Sequence, residues 1–161
     1  AGGIKGRPLA LKVEYGQDKD SLNMDKTITQ LIADGAQMII SGSGSSNTLR
    51  AARIAVAKGV MLMTAASSSP RISEVKDNNL VWRTIPSDVF QANTAAKILR
   101  QKKHTTVGII AINNAYGAAL AQAFAGSFQK LGGKVVASVS YSDIASYDGF
   151  DFKQKLDSLY A

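Results

Sequence analysis

The sequence predicts an α/β protein built on parallel sheet, and three observations carry that prediction. Short, wholly apolar runs recur at Met38-Ile39-Ile40, Val60-Met61-Leu62-Met63 and Val107-Gly108-Ile109-Ile110, as buried parallel strands require. Between them lie stretches with apolar residues at i, i+3 and i+4, the period of a helix with one buried face. Turns rich in glycine and serine follow the runs and lead into the next helix. Strands alternating with helices imply right-handed βαβ crossovers, with helices on both faces of the sheet.

Leu9 to Tyr15 alternates apolar and polar residues and predicts a first strand, which the polar stretch from Gly16 to Ser21 ends. Ile28, Leu31 and Ile32 set the stripe of a helix, with Asp20 or Ser21 as its N-cap and Gly35 to end it. After the strand at residues 38–40, a loop from Ser41 to Asn47 leads into an alanine-rich helix from Thr48 to Lys58, closed by Gly59. Leu80-Val81-Trp82-Arg83 reads as a strand after the 60–63 run, and Ser87 or Asp88 caps a helix carrying Ala95, Ile98 and Leu99. A helix from Ala118 to Leu131 places Leu120, Phe124, Phe128 and Leu131 on one face, before Gly132-Gly133. Val135, Ala137, Val139 and Tyr141 alternate along a last strand, and Phe152, Leu156 and Leu159 begin a last helix.

With 161 residues, 45% of them hydrophobic, the chain has the size of one ordinary domain or two small ones. No apolar run reaches the ~18 residues of a membrane span, and the first residues lack the apolar core of a secretory signal. The net charge of +7 raises the question of nucleic acid, but the densest basic cluster, Arg100, Lys102 and Lys103, follows a helical stripe, apart from Trp82. Such cations suit a solvated helix C-terminus, and no nucleic-acid partner is expected. The absence of cysteine excludes disulfides, thiolate metal sites and cysteine nucleophiles, and leaves the compartment open.

Ligands of parallel α/β sheets bind at the carboxyl ends of the strands, which directs attention to the residues after Ile40, Met63, Arg83 and Ile112. The turn from Ser41 to Thr48 feeds a helix N-terminus, where free N–H groups and the helix dipole receive an anion. A structural turn and a dinucleotide site are its other readings, although Asn47 stands where G-x-G-x-x-G has its third glycine. Thr64 to Pro70 offers hydroxyls and backbone groups to a polar ligand, or forms a plain loop ended by proline. If the two βα units are adjacent, Ser45 and Ser68 face one crevice. Catalysis is not expected: the single histidine, His104, precedes a strand and so lies at the opposite end of the sheet. Asp143, Asp148 and Asp151 lack calcium-loop spacing and read as loop and capping residues, and no metal or other cofactor is expected. Tyr116, past an apolar strand and before a helix, either packs or contacts a ligand.

Several motifs then form one pattern. Ala1-Gly2-Gly3-Ile4-Lys5-Gly6-Arg7-Pro8-Leu9 resembles the "AGGI-GRPL" segment of the leucine/isoleucine/valine-binding proteins. Arg83-Thr84-Ile85-Pro86-Ser87-Asp88, Asn114-Ala115-Tyr116-Gly117 and Asp151-Phe152 follow in that family's order. The chain therefore resembles a type I periplasmic solute-binding protein of ABC transporters. The resemblance implies two doubly wound lobes closing on an amino acid, with residues 1–86 part of the first lobe and 87–161 part of the second. It implies that Ser45 holds the ligand carboxylate, that Ala66 offers its backbone and that Ser68 contacts the ammonium or the carboxylate. Tyr116 would cover the ligand from the second lobe. It also implies a periplasmic location, a membrane permease as partner and a monomeric full-length protein. Family members carry a strand and helix ahead of the "AGGI" segment and return to both lobes later, so the resemblance makes this chain a part of such a protein. A ligand-sensing domain of the same fold, and more distantly a nucleotide-cofactor enzyme, are the alternative functions.

Overall fold

The computed structural model describes residues 3–14, 21–42, 44–142 and 151–160. Five helices and five strands lie among them: α1 Ser21–Ala33, β1 Met38–Ser41, α2 Ser45–Ala57, β2 Met61–Thr64, β3 Val81–Arg83, α3 Asp88–Gln101, β4 Thr106–Ile112, α4 Gly117–Lys130, β5 Lys134–Tyr141 and α5 Lys153–Tyr160. A 3-10 turn at Pro70–Glu74 joins β2 to β3. Strands β1, β2 and β3 form one parallel sheet in sequence order, and β4 pairs with β5, also parallel, in a second sheet.

The first sheet is held by α1 and α2. Met24 and Ile28 of α1, Ala51, Ala52 and Ala55 of α2, and Ile39, Val60 and Leu62 from the strand side form one buried cluster. The three alanines let α2 lie close on the strands, and the pattern of β1 and β2, alternately buried, records that contact on one face. Arg50 Nε and Nη2 donate to Asp25 Oδ1 and Oδ2 at 2.6 and 2.8 Å, joining α2 to α1. The hydrogen bond from Arg50 holds the Asp25 carboxyl below the usual carboxylate range, against the opposing effect of burial. Gly35 and Gly59 end α1 and α2 with φ of +90° and +68°, a conformation that favours glycine.

The second sheet packs with α4 and α5. Phe128 of α4 is fully buried and stacks on Phe124 with ring centroids 5.7 Å apart. Leu159 of α5 lies over Gly108 of β4, and Phe152 meets Tyr141 edge to face at 5.1 Å. Helix α3, whose N-cap is Ser87, packs on α4 and connects the two sheets. The residues of β5 alternate between exposed and half-buried, as the spacing predicts.

Three expectations need correction. Residues 8–14 form no strand: an extended segment needs a neighbour for its N–H and C=O groups, and none pairs with it among the described residues. Leu11 is 85% exposed, and the segment is held through Lys12, which reaches Asp34 and Glu14. Tyr15, Asp20 and Ser43 lie outside the described residues, as do Asp143 and Asp148. Helices do not cover both faces of the first sheet among the described residues, since Met38, Ile40 and Trp82 are exposed on the face away from α1 and α2. Helix α2 also begins three residues before Thr48, with Gly44 extended at its N-cap and Thr48 N donating to Gly44 O at 3.0 Å.

Candidate ligand-binding site

The loops that leave the carboxyl ends of β1, β2 and β4 meet at a single seam. Ser69 N, after β2, donates to Ser45 Oγ at the start of α2, at 3.3 Å. Ser69 Oγ donates to Ala115 O at 2.8 Å, and Ala115 N donates to Ser46 Oγ at 3.2 Å. Ser46 of α2 and Ser69 of the loop after β2 thus bind both backbone groups of one residue from the second sheet's loop. The geometry of Ala115 is set locally. Asn114 Oδ1 accepts from Tyr116 N and Gly117 N at 3.1 and 2.9 Å, capping α4. A Cβ on Gly117 would fall 2.3 Å from Ile112 O, so the turn closes this tightly only with glycine.

Under the seam lies a small polar core. Thr48 Oγ1 is 2.8 Å from Ser67 Oγ and 3.3 Å from Ser41 Oγ, and Thr64 Oγ1 accepts from Ser67 N at 3.2 Å and Ala66 N at 3.4 Å. Thr48, Thr64, Ser67 and Ser69 are fully buried, so these bonds form out of water and hold the β2 loop in one shape. Arg83, at the end of β3, fastens the same loop from the other side. Its Nη1 donates to Ser69 O at 2.9 Å and Ser68 O at 3.4 Å, and its Nη2 donates to Ser73 Oγ at 2.6 Å. Ser68 Oγ donates to Asp88 Oδ2 at 3.0 Å, while Asp88 N donates to Ser68 O at 2.9 Å.

Of the sequence-predicted residues, Ser45 is buried at the first position of α2, and its oxygen receives Ser69 N. Ser68 is half-buried beside a cavity of about 630 Å³ that Pro86, Asp88, Phe90, Gln91 and Ile98 also line. Tyr116 is 38% exposed and lines a different cavity, of about 320 Å³, with Gln91, Ala95, Leu120, Phe124 and Tyr141. Ala66 is exposed beside the seam. The structure therefore gathers Ser45 and Ser68 in one loop cluster and docks the neighbour of Tyr116 onto it, while Ser68 and Tyr116 front two cavities that share Gln91 and Ala95. His104 precedes β4, away from the seam, and Asp151 Oδ1 accepts from Lys153 N at 2.7 Å as a cap of α5. Sequence reasoning took the hydroxyls from Thr64 to Pro70 as a group without singling out Thr64, Ser67 or Ser69, gave Ser46, Thr48 and Arg83 no contact of their own, and saw Asp88 only as a cap. The run of hydroxyls from Thr64 to Ser69 was the available signal for three of them, Thr64, Ser67 and Ser69.

The family described as "Periplasmic binding protein" matches residues 1–150. This chain belongs to that family. Among curated relatives, a Leu/Ile/Val/Thr-binding protein of Salmonella typhimurium (strain LT2) is 33% identical over 136 residues, covering 84% of this chain and 37% of the relative. A Leu/Ile/Val-binding protein of Escherichia coli (strain K12) is 31% identical over the same length. Among solved structures, an ABC transporter substrate-binding protein of Desulfitobacterium hafniense in complex with Leu aligns with a TM-score of 0.75 and 28% identity, covering 99% of this chain and 45% of that one. The chain thus spans little more than a third of the curated periplasmic binding proteins it matches. Fold and family agree with the α/β class built on parallel sheet that the sequence predicts, and the chain covers 45% of the solved neighbour.

Proposed function

We propose that this chain is part of an extracytoplasmic solute-binding protein that captures an amino acid, branched-chain or similar, between two lobes and delivers it to the membrane permease of an ABC transporter, in the periplasm. Residues 1–86 belong to the first lobe and residues 87–161 to the second, and the full-length protein acts as a monomer. The observation that carries this reading is the seam, where loops from two separate sheets converge on Ala115 beside the N-terminus of α2. The N-cap of α2 is Gly44, which has no side chain to cover the helix N-terminus, and the positive end of the helix dipole there favours an anion. Ser45 Oγ accepts from Ser69 N, which leaves its O–H to donate to a ligand carboxylate. Ala66 offers its backbone, Ser68 its hydroxyl, and Tyr116 covers the ligand from the second lobe. The binding names of the relatives and the Leu complex of the structural neighbour support the substrate class.

Calorimetry of the full-length chain against amino acids, amides, short peptides and other small acids tests the proposal. One amino acid binds tightly at one site per chain, and Ser45→Ala weakens it by about tenfold, the loss of one charge-assisted hydrogen bond. Absence of heat with every amino acid refutes the substrate class.

A further inference from the structure

The structure directs the one hydroxyl proton of Ser68. Ser68 Oγ donates to Asp88 Oδ2 at 3.0 Å, and the reciprocal bond from Asp88 N to Ser68 O, at 2.9 Å, locks the two residues face to face. Asp88 is only 1% exposed, so water does not compete for that carboxylate. A hydroxyl whose proton is held in this way presents only lone pairs on its remaining side: it accepts from an N–H and repels another oxygen anion. The neighbouring acceptors are already filled. Ser68 O receives Asp88 N and Arg83 Nη1, and Ser69 O receives Ile72 N at 3.1 Å and Arg83 Nη1 at 2.9 Å. Ser69 Oγ is fully buried against Ala115 O. Ser68 Oγ, half-buried on its cavity, is the acceptor that residues 68 and 69 retain for a ligand.

We propose that Asp88 is a specificity-determining positioning residue: by holding the Ser68 proton it makes Ser68 Oγ an acceptor, so this side of the site selects ligands with a protonated amine over those without one. Asp88 is the first residue of α3, which leads from the first sheet to the second, so the same contact ties the ligand loop to the connection between the two halves. The proposal rests on the amino-acid reading of the site, and its test separates the two.

The full-length chain is titrated with L-leucine and with 4-methylpentanoate, which has the same side chain and carboxylate but no amine. Asp88→Asn keeps the shape of the side chain and allows an amide N–H to face Ser68, which turns the serine O–H outward. The preference for leucine over 4-methylpentanoate falls about tenfold in Asp88→Asn, the scale of one hydrogen bond to a charged group. Ser68→Ala lowers the preference similarly, and adding Asp88→Asn to it changes the preference no further. Equal weakening of both probes, or an unchanged preference, overturns the role of Asp88, because damage to the fold alone does not discriminate between them. If the wild-type chain takes up neither probe, leucine is not its ligand, and amide hydrogen exchange then judges the positioning. Faster exchange at residues 67–69 in Asp88→Asn, with β1 and β5 unchanged, supports the hold on Ser68, and unchanged exchange there overturns it.

Discussion

Thr48→Val removes one hydroxyl from the polar core beneath the seam and leaves its shape intact. Thr48 is fully buried, with Oγ1 at 2.8 Å from Ser67 Oγ and 3.3 Å from Ser41 Oγ, and both serines are themselves buried. Withdrawing one partner from a buried polar group costs about 1–3 kcal/mol, and the new methyl returns about 0.8 kcal/mol of apolar burial. The balance is a loss of about 0.2–2.2 kcal/mol, read as a lower urea midpoint for the full-length chain at neutral pH. Ser67 belongs to the loop proposed to meet the ligand, and on that proposal amino-acid affinity falls as well. Adding Ser67→Ala removes the other hydroxyl of the pair, and the double variant is less destabilised than the sum of the two single variants, by about 1 kcal/mol in a double-mutant cycle. Wild-type stability in Thr48→Val, or strict additivity in the cycle, would refute the claim that these hydroxyls act as one network.

Phe128→Ala empties a fully buried aromatic site between α4 and Gly133 and costs about 3–5 kcal/mol, measured by denaturant unfolding. Gly117→Ala places a methyl 2.3 Å from Ile112 O; α4 must shift and carry Tyr116 with it, giving a stability loss of about 1–3 kcal/mol together with weaker ligand binding by calorimetry. The Asp25 carboxyl is held below its usual range first by its hydrogen bond from Arg50, so its folded value is depressed relative to the unfolded one. Its stabilisation is present above the ordinary carboxylate value and is lost as pH falls through the depressed one. Asp25→Asn therefore lowers the melting temperature at neutral pH, and the difference from wild type closes in acid; a difference that persists in acid contradicts this assignment.

Much of the fold was legible because its signals are local. Apolar periodicity located α1, α4 and the strands β1, β2 and β4, and Gly35 and Gly59 marked helix ends where the chain takes a positive φ. Ser87 was readable as the cap of α3 because a cap is a contact between near neighbours, here with Val89 N. Ser45 and Ser68 could be placed near one crevice because adjacent parallel strands bring their following loops together. Their hydrogen-bond partners could not be placed.

Tertiary structure decided what depends on residues far apart in the chain. The alternation from Leu9 to Val13 satisfies the strand pattern, yet a pattern supplies no neighbour for the backbone, and no strand pairs with the segment among the described residues. Ser46 meets Ala115 across 69 residues, Ser69 meets the same residue across 46, and Ser68 finds Asp88 across 20. The sequence by itself determined which residues could form helices and strands and where small polar side chains would emerge from them. That the hydroxyls of Ser68 and Ser69 donate was settled only by their tertiary partners, Asp88 Oδ2 and Ala115 O, since a hydroxyl serves either role until a partner fixes its proton.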